Sequence, residues 1–213
     1  EGHLNLEKLK TNNVIKNVVT DGTIKITDYN IDIGGVDVVI PSTIDGKTVV
    51  AIGTSAFQGK VLSSETSMLN KSNIQFMSNK EDNEFATSQG PLIHGDIRSV
   101  VIPSTVKSIG DYAFTYNKIS SVTLSNGLET IGSCAFAQNQ LANIIIPSSV
   151  NHIYTNALYK GSDSNPNLTK IINKTEQAFN WRDIINWSGL SNEYNFVTGT
   201  VEASFGNVEV TSE

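Results

Sequence analysis

The sequence predicts a right-handed solenoid of α/β to mainly β class, with a parallel sheet along one side and a cap at each end. Three observations carry this. The chain repeats itself at a period of 22 residues. Inside each copy the apolar residues alternate with period two, the mark of a strand. The composition favours strands and turns over helices. Of 213 residues, 38% are hydrophobic and only 17% charged. Short neutral side chains, above all Asn, take the place of charge, and these compete with the backbone and favour turns. The length suffices for a sizeable core.

The copies read VVIPSTVKSIGDYAF at 100–114, VTLSNGLETIGSCAF at 122–136 and IIIPSSVNHIYTNAL at 144–158. An earlier copy, VVIPSTIDGKTVVAIGTSAF at 38–57, carries five extra residues, and LTKIIN at 168–173 is a partial last one. Val38, Val100, Val122 and Ile144 form one column; Ile40, Ile102, Leu124 and Ile146 form the next. A second step follows at Ile44, Val106, Leu128 and Val150, then at Ile52, Ile109, Ile131 and Ile153. Phe57, Phe114, Phe136 and Leu158 close the units. No single unit can bury these groups, so copies must stack, one strand spacing apart. The expected core is Phe57, Phe114, Phe136, Leu158, Ile109, Ile131 and Ile153. Pro41, Pro103 and Pro147 stand just past the strand, where a missing N–H ends pairing. Asn117 and Asn139 stand at the corner before it, placed to bond turn backbone coil after coil.

The pattern V-x-IPSxVxxIGxxAF at this spacing resembles the BspA-type leucine-rich repeat of bacterial cell-surface proteins. The match covers about residues 36–59 and 97–173. The chain departs from the family in carrying Asn for the Cys often seen after the Ala-Phe pair, Leu158 for Phe, and a long insertion. The resemblance implies a leucine-rich-repeat solenoid on an exported, cell-surface or secreted protein, with adhesion to host or matrix proteins as its role. It divides the chain into an N-terminal cap at 1–35, repeats at 36–175 with an insertion at 60–96, and a C-terminal cap at 176–213. Residues 20–29 read as a strand after an Asp-Gly turn, covering the edge of repeat one; 4–19 read as a short helix or an earlier strand. Residues 176–187 read as an amphipathic helix with Ala178, Trp181, Ile184 and Ile185 on one face, and two strands follow around Gly199 and Gly206. Asn173-Lys174-Thr175 before that helix is similar to a tail found behind such repeats.

Function follows from what the strands turn outward. Val39, Val101, Thr123, Ile145 and Ile172 line up on the open face, flanked by Ser99, Ser121, Asn143 and Lys170, with Asp37 at the end of the flank. A line of this kind is what a solenoid offers a protein ligand, with Val101 and Ile145 as anchors. The alternative is a face covered by the insertion or by another domain. The insertion itself reads either as a variable decoration or as a partner-contacting arm. Two other functions stay open: a structural spacer displaying further domains, and glycan binding through Tyr112, Tyr116, Tyr154 and Tyr159.

Other classes find no support. Lys+Arg 15 against Asp+Glu 21 gives a net charge of -6 without a basic cluster, which argues against nucleic acid. His3, His94 and His152 lie in unrelated contexts, and no nucleophile elbow, phosphate loop or zinc motif occurs. A single cysteine, Cys134, excludes an internal disulfide and any Cys-based zinc site. Asp163-Ser-Asn165-Pro-Asn167 mimics a calcium loop, but Leu168 and Lys174 stand where Gly and Glu are needed, so it reads as a longer turn. No catalytic, cofactor or metal residue is assigned, and an enzyme is not expected. No apolar run is long enough for membrane insertion. Glu1–Lys10 lacks the pattern of a signal peptide, so an exported protein of this sequence has shed its leader. Oligomeric state is not legible.

Overall fold

In the computed structural model the described residues are 4–5, 15–29, 34–59, 95–186 and 195–213. The repeats stack, and each coil contributes to three sides. The first side holds the longer strands. Leu4–Asn5, Asp37–Val39, Ser99–Ile102 and Ser121–Leu124 run parallel in that order. Ser121–Leu124 lies against Asn143–Ile146. From there Lys170–Asn173 and Val208–Thr211 continue in parallel, with Gly199–Val201 antiparallel at the outside. Equivalent residues pair in register: Val38 with Val100, Val100 with Val122, and Ile144 with Ile171. The period-two reading is therefore correct at both levels, within a strand and between copies.

The second side is a sheet of shorter strands. His152–Ile153, Thr130–Ile131, Ser108–Ile109, Lys47–Ile52 and Thr23–Tyr29 run parallel in that order, and Ile15–Thr20 pairs antiparallel with the last. The hairpin between 15–20 and 23–29 turns at Asp21 and Gly22, both left-handed (φ 49° and 76°), the backbone that tight two-residue turns require. Of the two readings of 4–19, the strand is found at Leu4–Asn5 and Ile15–Thr20. The five extra residues of the first copy form a further hairpin, Thr43–Ile44 against Lys47–Ile52.

The third side consists of the Ala-Phe turns, which stack through their backbones. The N–H of Phe57, Phe114 and Phe136 each donates to the Ala carbonyl of the following coil, at 2.7, 2.9 and 2.9 Å. The rings queue beneath: Tyr29 to Phe57 4.8 Å, Phe57 to Phe114 5.0 Å, and Phe114 to Phe136 5.3 Å with planes 1° apart. Ser55, Tyr112, Cys134 and Asn156 hold the same left-handed conformation in successive turns (φ 53–57°). A helix, Trp181–Ile185, takes the place of the next turn: Leu158 N–H donates to Ile184 O at 3.1 Å. This helix is shorter than the 176–187 expected. Phe179–Asn180 instead forms a strand against Asn195–Phe196, and the Asn180 side chain caps the helix by accepting from Asp183 N–H. Ala178 consequently lies exposed, whereas Trp181, Ile184 and Ile185 are buried.

An asparagine ladder rivets the corner before the long strands. The Asn117 amide donates to Phe57 O at 2.8 Å and Phe114 O at 3.1 Å. Asn139 repeats this one coil on, donating to Phe114 O (2.9 Å), Phe136 O (3.2 Å) and Ala137 O (3.0 Å), while its Oδ1 accepts from Ile119 N–H. Asn165 is a third rung, donating to Phe136 O and accepting from Leu141 N–H. Satisfying four backbone groups with one buried amide lets a loop corner be internal. Behind the last coil, the Asn173 amide bonds Val197 O (3.0 Å), and its Oδ1 accepts from Thr175 N–H and Oγ1. The Asn-Lys-Thr entry thus ties the final strand to the tail.

Of the expected core, Phe57, Phe114, Phe136, Leu158, Ile109 and Ile131 are buried. Ile153 is the exception, half-buried and packed against the core's edge, because its strand is the last in the short-strand sheet. The insertion, 60–96, lies outside the described residues except for Asp96 and its neighbour Gly95. Its two flanks meet: Gly59 N–H donates to Thr115 O (2.8 Å) and Gly95 N–H to Tyr116 O (2.6 Å). A Cβ on Gly59 would overlap the Tyr116 carbonyl and come within 2.6 Å of Gly95 N, so glycine is needed there for close approach. Matching side chains also join successive coils at the surface, Lys118 to Asp96 at 2.7 Å and Lys107 to Glu129 at 3.7 Å.

Candidate protein-interaction face

On each long strand the residues between the core columns point out of the coil, since side chains alternate across a strand. Register then does the rest. Val39, Val101 and Thr123 are paired neighbours, as are Ile145 and Ile172. Val39 and Val101 are each 37% exposed and Ile145 48%, values high for such apolar groups. Thr123 is exposed and Ile172 half-buried. Beside them Asp37, Ser99 and Ser121 pair in one row, and Asn143 with Lys170 in its continuation. Ser99 Oγ donates to Asp37 Oδ1 at 2.7 Å. The structure thus brings together every residue assigned to the face. It adds two that the repeat pattern did not reach: Thr211 extends the apolar row beside Ile172, and Glu209 extends the polar row beside Lys170. The alternation Val208-Glu-Val-Thr was the available signal, but nothing in it says which sheet it joins.

The face is shallow and lightly charged. From Ser99 to Asn143 it presents no ionisable group, and the charges sit at its ends, Asp37 on one side and Lys170 with Glu209 on the other. Such a surface can hold a broad, flat partner through dispersion and water release. It offers no convergent donors around a reacting atom.

The tyrosines weighed for glycan lie elsewhere. Tyr112 and Tyr116 are half-buried around Cys134, and burial raises both phenols above their usual range. Tyr154 is 51% exposed and stacks against His152 at 6.4 Å. Tyr159 is half-buried beside Gly161. Cys134 is itself buried, and desolvation pushes its thiol up to about 11, the opposite of what a nucleophile needs. Lys160 is buried too, its ammonium donating to Pro166 O at 2.6 Å; burial lowers its pKa. Among the described residues no group of three or more His, Cys, Asp or Glu side chains could hold a metal ion.

Residues 93–186 match the model of the BspA type leucine-rich repeat region, in six copies. This stretch belongs to the BspA-type leucine-rich repeats. The copy at 38–57 precedes the matched residues, yet its strand pairs in register with the BspA-type coil after it. Three solved structures are similar. A leucine-rich repeat protein of Bacteroides capillosus is 27% identical over 66% of this chain and 83% of its own, with a TM-score of 0.46. The leucine-rich repeat protein of T. pallidum is 21% identical over 75% of this chain and 69% of its own, at 0.44. The pneumococcal vaccine antigen PcpA is 21% identical over 75% of this chain and 36% of its own, at 0.49. No curated protein matches the chain. BspA-type and other leucine-rich solenoids in general serve as protein-interaction modules, because stacking displays one extended surface. No helix among the described residues is long and apolar enough to cross a membrane.

Proposed function

We propose that this chain is a non-enzymatic protein-binding module of a bacterial surface or secreted protein, adhering to host or matrix proteins through its long-strand face. The observation that supports it is the outward row of Val39, Val101 and Thr123, continued by Ile145 and the half-buried Ile172 on the strands that lie against it, with strand pairing holding each of the two sets in register. Cores do not need these side chains, and solvent does not favour them. The surface location rests on the BspA-type repeat. In this reading the coils wind right-handed, 1–35 closes one end of the repeats at 36–175, and 176–213 closes the other. The Thr23–Tyr29 strand and the Trp181–Ile185 helix favour such closure, since the first pairs with Lys47–Ile52 of the first coil and the second takes the backbone bonds of the turn at Leu158.

The test is capture of the chain by immobilised matrix proteins, fibronectin and laminin among them, with Ile145→Asp beside wild type. The outward side chain predicts melting within about 0.5 kcal/mol of wild type and loss of capture. If Ile145→Asp binds as wild type does, the face is not the adhesive surface; if no matrix protein is captured at all, the spacer reading takes its place.

A further inference from the structure

Asn126 and Gly127 occupy the corner where neighbouring coils carry Ser104-Thr105 and Ser148-Ser149. Asparagine followed by glycine is the sequence that most readily loses its side-chain amide. With no Cβ in the way, the glycine nitrogen reaches the asparagine Cγ. Here the glycine is not replaceable. Its φ is 122°, and a Cβ would overlap the Ser104 carbonyl oxygen. Asn126 is exposed. The fold therefore fixes the glycine of a chemically fragile dipeptide at a surface turn.

Two hydroxyls of the following coil grip this dipeptide. Ser149 Oγ accepts the Gly127 N–H at 2.9 Å and donates its own proton to Leu128 O at 2.6 Å. That second bond fixes the hydroxyl, so a lone pair faces the amide. Ser148 Oγ donates to Asn126 Oδ1 at 3.4 Å. We propose that Asn126–Gly127 is a deamidation site and that Ser149, one coil away, is the positioning residue that restrains it.

In the reaction the Gly127 nitrogen gives its proton to solvent base and attacks Asn126 Cγ. A carbon–nitrogen bond forms, closing a five-membered succinimide, while the bond to the side-chain nitrogen breaks and ammonia leaves with a proton from water. Water then opens the ring at either carbonyl, giving aspartate or isoaspartate. No oxidation or reduction occurs. The nitrogen can attack only after its N–H leaves Ser149, so the following coil shelters this dipeptide. The product bears a carboxylate, and isoaspartate adds one atom to the main chain at a corner packed against Ser104.

The experiment incubates the full chain in mildly alkaline buffer and follows the peptide containing Asn126 by mass and retention. Four samples are compared: wild type folded, wild type in urea, Ser149→Ala and Ser149→Thr. Folded wild type should react more slowly than the urea sample. Ser149→Ala should speed reaction about two- to tenfold, the rate equivalent of one neutral hydrogen bond. Ser149→Thr keeps the hydroxyl and should stay slow, which separates the hydrogen bond from any general loosening of the coil. Equal rates for folded and urea-treated wild type would overturn the proposal. So would Ser149→Ala at the wild-type rate, or Ser149→Thr as fast as Ser149→Ala.

Discussion

Phe114 has a Phe ring on each side, and truncating it to Ala measures what the stack is worth. Its side chain is fully buried, with Phe57 at 5.0 Å and Phe136 at 5.3 Å. Removing a buried Phe ring costs about 3–5 kcal/mol through lost transfer energy and the cavity left behind. The upper half applies here, because backbone hydrogen bonds on both sides hold the turn and hinder collapse into the gap. Phe136 is as deeply buried but has a ring neighbour on one side only, the next coil supplying Leu158. One aromatic pair adds about 0.5–1.5 kcal/mol beyond burial. Phe114→Ala should therefore cost about 1 kcal/mol more than Phe136→Ala. Urea unfolding followed by circular dichroism and by tryptophan fluorescence gives both numbers, and coincidence of the two probes tests whether the coils melt as one unit. A loss under about 1 kcal/mol for Phe114→Ala, or a Phe136→Ala cost clearly above it, would refute a column of mutually supporting rings.

Joining Gly59 directly to Gly95 should leave the coils folded, since 57 residues separate Phe57 from Phe114 and removing 60–94 restores 57 − 35 = 22. Shortening the closed loop by about four doublings should stabilise the chain by roughly 2–3 kcal/mol, read as a raised urea midpoint; a collapsed dichroism spectrum would show that the excised residues are part of the core. Asn139→Asp should cost at least about 3 kcal/mol, because three carbonyls lose their donor and a charge is left inside; a neutral result in the same titration would remove the ladder's structural role. Stability should be insensitive to Cys134 below pH 9 and fall as pH rises from 9.0 toward about 11: the unfolded thiol ionises first while the folded one keeps its proton. Cys134→Ser should flatten that part of the pH profile.

The parts of this fold that were legible are those the repeat states more than once. Phe57, Phe114 and Phe136 declare a column because the same residue recurs in phase. Asn117 and Asn139 do so because each stands two residues before an apolar position. Asn165 escaped, since the Gly161–Ser164 stretch displaces it to three residues before Leu168, and the turn chemistry survives a spacing change that pattern matching does not. The tail was half legible. Its strands alternate, but strand partners are long-range facts, and nothing local assigns Val208–Thr211 to the long-strand sheet. The helix was overextended because Ala178 prolongs the apolar spacing of Trp181, Ile184 and Ile185, while the pairing of Phe179 with Phe196 is a long-range fact; Asn180 sets the helix start by capping. The outward row was legible within the repeats, since a strand that hides one face must show the other, but not at Thr211 and Glu209, whose strand lies outside them.

The surface pairs Lys107–Glu129 and Lys118–Asp96 place opposite charges one period apart. Suppose residues 115–136 were duplicated in frame. Glu129 would then abut its own copy, and Lys118 would abut its own. All four partners are more than half exposed, so each such clash would cost only tenths of a kcal/mol. The stack can therefore lengthen by whole turns with little resistance, while its charges still record which turn was laid beside which.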